Sequence, residues 1–179
     1  MAVASFTLQT ERLLLNSLRM DDWPVVLAEW GVPAVAQMTA TFRTDWTEQT
    51  VKEWIAHRLR PGQSGFGCAV RRVSDNKLIG SVGMGGEPRN MGYAFGQAYW
   101  GQGYASEAVR AFLTAAYSHE MGLDVVEATV FDDNPASARV LTKIGFERAG
   151  ASDCSSLARV EPAPSSLYRL TRSQFECLA

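Results

Sequence analysis

The chain is short of most features that mark a specialised class, and each shortage excludes something. Only three of its 179 residues are cysteine, Cys68, Cys154 and Cys177, and no two stand at CxxC spacing. Any pairing leaves one over, so free thiols in a reducing cytoplasm are expected. Basic residues are not in excess: 17 Lys and Arg face 19 Asp and Glu, a net charge of -2. A nucleic-acid binder needs a basic face, so that class is set aside. No apolar run approaches the roughly 18 residues of a membrane span. Met1 to Thr10 shows neither a basic leader nor an apolar core, so no secretory signal is expected. The histidines, His57 and His119, have no carboxylate or cysteine at ligand spacing, so neither a metal nor a histidine-based catalytic pair is expected.

What is present reads as one globular domain over 1–179. Hydrophobic residues make up 46% of the chain and charged residues 20%, an ordinary composition. That length suffices to bury about 70% of the unfolded chain's surface. Strands are expected at Arg12–Leu18, Phe66–Arg72, Leu78–Met84, Met91–Phe95, Val125–Phe131, from Phe146 onward, and at Leu167–Thr171. Helices are expected from Asp21, a plausible cap, to Trp30, and from Thr47 to the Pro61-Gly62 stop. A third carries Ala105, Ala108, Val109, Phe112 and Ala116 on one face and ends near Gly122. Pro135–Ile144 makes a fourth, and a short one at Ser173–Leu178 closes the chain. Residues 151–165, polar and holding Pro162 and Pro164, read as a surface loop. Cys68 alternates with Phe66 and Val70 and reads as packing. Trp23, Trp30, Trp46 and Trp54 crowd the N-terminal third, which makes core packing the default.

Two segments carry chemistry. Trp100-Gly101-Gln102-Gly103-Tyr104-Ala105-Ser106 follows a strand and opens an amphipathic helix. Gly101 and Gly103 permit positive φ, so successive backbone N–H groups can converge on a bound oxygen. The helix start adds free amides and the positive end of its dipole, which suits a diphosphate. No Gly-Lys-Ser/Thr is present, and Ser106 stands where a dinucleotide fingerprint wants Gly or Ala. A plain helix start would use the same glycines. The second segment, Asn134-Pro135-Ala136-Ser137 through Lys143-Ile144-Gly145-Phe146, has a cap at Asn134 and a stop at Gly145. Helix punctuation explains its residues, though not its place one helix and one strand after the glycine turn.

In that order the segments resemble the GNAT superfamily of acyl-CoA-dependent N-acetyltransferases, in its RimJ/RimL-like branch. Thr10-Glu11-Arg12-Leu13-Leu14-Leu15 resembles the branch's opening, and Leu78-Ile79-Gly80-Ser81-Val82-Gly83 its third strand. Gly92-Tyr93, the glycine turn, the Asn134–Phe146 segment and Leu167-Tyr168-Arg169-Leu170-Thr171-Arg172 follow in the family order. The resemblance implies an α+β, mixed α/β fold with a mostly antiparallel sheet of about seven strands. Helices flank that sheet, which splays between its fourth strand (Met91–Phe95) and fifth (Val125–Phe131). It also implies acetyl-CoA as co-substrate, without a metal. The pyrophosphate would lie on the amides of Gly101, Gln102, Gly103, Ala105 and Ser106. Groups around Ala94 and Phe95, with Asn134, would hold the pantetheine. Among relatives dimers are frequent, and a homodimer stays open. The N-terminal helices wall the acceptor groove in the family, where Trp30 or Trp46 could line it.

The sequence departs from the family pattern at four places. Trp100 replaces the Arg or Gln that often opens the turn, and Phe175 stands at the closing tryptophan. Leu141 occupies the position of the usual general-acid tyrosine, and Asn90 or Met91 that of a common glutamate. Ser137 is then the remaining side chain for the departing sulfur, unless it serves only the helix start. Glu87 or Asn90 would order a water that accepts the amine proton, with Glu87 also readable as a solvated turn charge. An α-amine, with pKa about 7.7–8.0, is far more often neutral at pH 7 than Lys at about 10.4. A site without a strong base therefore suits peptide N-terminal α-amines. A small-molecule or antibiotic amine is the first alternative, and a catalytically inactive acyl-CoA-binding module the second.

Overall fold

The computed structural model describes residues 7–59, 65–118 and 123–178. Among them, one sheet contains β1 (Leu8–Gln9), β2 (Leu13–Asn16), β3 (Gly65–Arg72), β4 (Leu78–Gly85), β5 (Asn90–Phe95), β6 (Val125–Phe131), β7 (Glu147–Cys154) and β8 (Ala163–Thr171). The spatial order is β1-β2-β3-β4-β5-β6-β8-β7. The helices are α1 (Trp23–Val25), α2 (Pro33–Ala36), α3 (Glu48–Arg58), α4 (Tyr104–Ser118), α5 (Pro135–Ile144) and α6 (Arg172–Cys177). No helix among the described residues is long and apolar enough to cross a membrane. The Pro61-Gly62 stop, the end of the third helix near Gly122, and His119 lie outside the described residues.

The sheet has eight strands where about seven were expected. The addition is β1, whose Leu8 faces Leu15; two residues are too few to show a period. The expected loop over 151–165 is also corrected. β7 runs on to Cys154 and pairs with a β8 that already begins at Ala163. β7 is an edge strand of small and polar residues, so it lacks the apolar alternation by which strands are read. The first helix is broken into a 3₁₀ turn (Met20–Asp22), α1 and a π turn (Val26–Trp30). Its start is held by Asp22 rather than Asp21: Asp22 Oδ2 accepts the Arg19 amide at 2.7 Å.

Opposite faces of the sheet carry separate cores. One packs α4 and α5 through Val109, Phe112, Leu113, Leu141 and Ile144 against Leu13, Leu15, Val70, Ile79 and Phe95, with Cys68 buried among them. The other seats Trp30, Phe42, Trp46, Val51 and Ile55 over Ala69, Leu78 and Ala94. Trp30 stacks on Phe42 with ring centroids 5.4 Å apart. The tryptophans therefore pack as a core, while His57 is exposed on α3.

β4 and β5 lie close because Gly80 has no side chain: a Cβ there would stand 2.5 Å from both the Ala94 carbonyl oxygen and Phe95 Cδ1. β5 meets β6 very differently. They run parallel and share one pair, Asn90 with Glu127, and then part. The expected splay lies at this junction.

A buried ion pair ties the broken helix to the sheet. Arg71 Nη2 lies 2.7 Å from Asp22 Oδ2, with Arg71 4% and Asp22 7% exposed. Removing one partner strands the other's charge, which costs about 3–5 kcal/mol. Asp22→Ala is expected to lower unfolding stability by that order in a urea titration.

Candidate active site

The glycine turn is held by its neighbours rather than by its own residues. After β5 the chain makes a 3₁₀ turn, Gln97–Tyr99, and Trp100 folds back so that its Nε1 donates to the Phe95 carbonyl at 2.7 Å. Gly101 and Gly103 have φ of 73° and 82°, the left-handed region where glycine alone is unstrained. A Cβ at Gly101 would meet nothing within 4 Å, so the surface over the turn is open. The first α4 bond runs from the Glu107 amide to the Gly103 carbonyl, 3.1 Å. The amides of Tyr104, Ala105 and Ser106 thus have no partner within the helix.

Arg12, from β2's approach, braces this turn. Its Nη1 donates to the Gln102 carbonyl at 3.0 Å, and its guanidinium lies 4.6 Å from the centre of the Tyr104 ring. Arg12 Nε and Nη2 bind Glu107 Oε2 at 2.7 and 2.6 Å. Glu107 Oε1 accepts the Thr10 hydroxyl at 2.6 Å and the Arg12 amide at 3.1 Å. The opening Thr10-Glu11-Arg12 and the helix's Glu107 are therefore one device, which the sequence separates by some ninety residues.

Beyond Asn90 the facing edges of β5 and β6 diverge. The Gly96 amide bonds to the Ile79 carbonyl at 3.0 Å, and antiparallel pairing alternates. Ala94 therefore turns its backbone groups to β4, and Tyr93 and Phe95 turn theirs to the gap. The α5 N-terminus stands across that gap, capped by Asn134, whose Oδ1 accepts the Ser137 amide at 3.1 Å. The Asn134 Nδ2 and the second lone pair of its Oδ1 remain for a ligand. Tyr93 Oη reaches over to Ser137, 2.7 Å from its Oγ and 3.1 Å from its carbonyl. Burial pushes the Tyr93 phenol up to about 12, against a smaller opposing effect of the Ser137 bond. The phenol is thus a weaker acid than a thiol, whose ordinary value is near 8.5, and protonating a thiolate from it is unfavourable. Leu141 is fully buried in the first core and offers no proton.

The fold thus brings together a splayed mixed sheet, an amide-lined helix start at one end of the gap and a serine across it. The acetyltransferase (GNAT) domain family matches residues 12–147. The chain belongs to this family. The uncharacterized N-acetyltransferase p20 of Bacillus licheniformis is 28% identical over 151 residues, covering 80% of this chain and 84% of its own. A GNAT-family acetyltransferase from Bacillus anthracis is 25% identical, with a TM-score of 0.78 over 94% of this chain and 99% of that one. A ribosomal-protein-S5-alanine acetyltransferase from Vibrio fischeri shares the fold at 17% identity, TM-score 0.76, over 95% and 98%. The protein is thus an acyltransferase of the GNAT type, a family that uses acetyl-CoA.

On the opposite face of the GNAT sheet the joined end of the gap is polar. Asn90 Nδ2 donates to Thr129 Oγ1 at 3.4 Å. Beside it the buried Glu127 accepts Arg169 Nη2 and Nε on its Oε1, at 2.6 and 3.1 Å. Glu87 is exposed on the turn between β4 and β5. Phe175, at the closing-tryptophan position, packs with its ring centroid 5.4 Å from that of Tyr117. Tyr93, Arg12, Glu107 and Glu127 were not singled out as site residues from the sequence. Arg12 and Tyr93 lie inside motifs of the family resemblance, Glu107 in the helix that follows the glycine turn and Glu127 in the strand Val125–Phe131, and none of them has a local partner that marks it.

The Arg12–Glu107 contact sets a pH dependence for the GNAT turn. Burial alone would raise the Glu107 carboxyl, but the Thr10 hydroxyl and the Arg12 guanidinium and amide hold it below its ordinary value. A depressed carboxyl contributes stability above its unfolded value, near 4.3, and loses it as pH falls through the folded one. The stability difference between wild type and Glu107→Gln is expected to be full at pH 6–7. It should shrink as pH falls below the ordinary carboxylate range and through the lower folded value in denaturant titrations.

Proposed function

We propose that the enzyme acetylates N-terminal α-amines of peptides or proteins, as a RimJ/RimL-like member of its family. The observation that carries the reading is the single Asn90–Glu127 pair between β5 and β6. It opens a gap with free helix-start amides at one end and Ser137 on its wall. The amides of Gly101, Gln102, Gly103, Ala105 and Ser106 hold the pyrophosphate, and neutral N–H donors suffice for that charge. Ala94, Phe95 and Asn134 line the pantetheine, with Phe95 offering its amide.

The acceptor enters as a free amine and attacks the thioester carbon directly. The C–N bond forms, the C–S bond breaks, and its electron pair stays on sulfur. The Ser137 hydroxyl donates a hydrogen bond to that sulfur. The extra amine proton passes to a water ordered by Asn90, or by Glu87 from its turn, and then to solvent. A hydrogen-bonded serine stabilises thiolate without protonating it. Such a site favours acceptors already neutral near pH 7, and α-amines are closer to that state than lysines. The likeness to a ribosomal-protein-S5-alanine acetyltransferase supports the same acceptor class.

Thiol release from acetyl-CoA, measured against free N-terminal peptides, N-blocked lysine peptides and small amines, tests the acceptor. The free N-termini are expected to react fastest, and faster lysine acetylation would overturn this reading. Ser137→Ala should lower kcat by about tenfold or more, the scale of one hydrogen bond to a charged group. Asn134→Ala should mainly raise KM for acetyl-CoA. Arg12→Ala should weaken acetyl-CoA binding by roughly 2–10-fold, as the brace on the turn is lost.

A further inference from the structure

Ser137 has a hydroxyl that can point several ways, and the transfer needs only one of them. It sits in the first turn of α5, where a serine proton can bond back to the carbonyl three residues earlier. Its backbone is fixed by the Asn134 cap, 3.1 Å from Oδ1 to the Ser137 amide. The remaining freedom is the rotation of the O–H bond. Tyr93 faces that rotor from β5 across the gap, with its Oη 2.7 Å from Ser137 Oγ and 3.1 Å from the Ser137 carbonyl.

A phenol has one proton and here two acceptors, which leaves two arrangements. If Tyr93 donates to the carbonyl, the short contact to Oγ requires Ser137 to donate to Tyr93. The sulfur would then meet only a lone pair. If Tyr93 donates to Oγ, the serine proton is displaced from Tyr93 and is free to turn to the sulfur. The shorter distance is the one to Oγ. A thiolate accepts hydrogen bonds and donates none, so its arrival selects the second arrangement.

We propose that Tyr93 is a positioning residue of the transfer, whose hydroxyl holds Ser137 with its proton directed at the leaving sulfur. This rests on the placement of the sulfur beside Ser137 proposed above. It accounts for how a chain with leucine at position 141 stabilises its leaving group. The tyrosine works through serine from the opposite wall of the gap, and no proton changes owner. Its ring belongs to the same packing that surrounds α4 and α5, which Tyr93→Phe preserves while removing only the hydroxyl.

The test compares binding of CoA with that of desulfo-CoA, which lacks the sulfur, by calorimetry at pH 9, above the ordinary thiol value of about 8.5. Wild type is expected to prefer CoA by roughly tenfold, the scale of a hydrogen bond to a charged group. Tyr93→Phe, Ser137→Ala and the double variant should all lose that preference to the same extent, with desulfo-CoA affinity unchanged. In turnover, Tyr93→Phe should lower kcat several-fold without raising KM for acetyl-CoA. Retention of the full preference by Tyr93→Phe alongside its loss in Ser137→Ala overturns the role of Tyr93 alone. Equal weakening of both ligands by Tyr93→Phe also overturns it and assigns the hydroxyl to packing. A preference that survives Ser137→Ala overturns the sulfur placement with it. None of these binding outcomes depends on which amine is the acceptor, so a wrong acceptor class and a wrong Tyr93 role are told apart.

Discussion

Strands β5 and β6 are joined at one rung and then separate, and the site follows from that parting. A sheet that opens exposes backbone donors and acceptors that would otherwise be paired, and unpaired buried groups are costly. The chain satisfies part of this demand itself, as Trp100 takes the Phe95 carbonyl. The rest faces the gap between the two strands. The parting is held open from both faces. α4 and α5 pack on one side, and the aromatic cluster of the N-terminal helices packs on the other.

The glycine turn illustrates how a backbone surface is stiffened from a distance. Its glycines make it possible, but glycine is also the residue most free to leave a conformation. Arg12 restricts that freedom by binding the Gln102 carbonyl and the first-turn Glu107 together. Its guanidinium adds positive charge beside the amides without entering the turn. A net charge of -2 does not conflict with an anionic co-substrate, because the proposed donors are backbone amides. The same distribution of labour holds at the α5 start. The Asn134 Oδ1 caps the helix through the Ser137 amide, and the Ser137 hydroxyl is bonded from β5 by Tyr93.

Much of this architecture is legible in the residues. Helix α5 runs from Pro135 to Ile144 with Asn134 as cap and Gly145 in the left-handed region, as its punctuation requires. β6 spans Val125–Phe131 and α3 begins after Thr47, both as read. The failures share a cause. β7 is an exposed edge whose residues carry no apolar alternation, and β1 is too brief to carry any. The segment from Met20 to Ala36 changes helical type three times, because its register is set by Asp22 on Arg71 and by Trp30 in its core rather than by a repeating face.

The sequence by itself determined the elements whose signals are local: the amphipathic face of α4, the capped α5, the glycines that demand positive φ. It also determined the family, since those local pieces occur in one order. Tertiary structure decided which residues meet. The pairing of Arg12 with Glu107, of Glu127 with Arg169 and of Tyr93 with Ser137 joins groups far apart along the chain. Each pair depends on the register of the sheet and the docking of helices on it. No periodicity or spacing encodes such a contact, because a side chain's partner is fixed by the packing of the whole core.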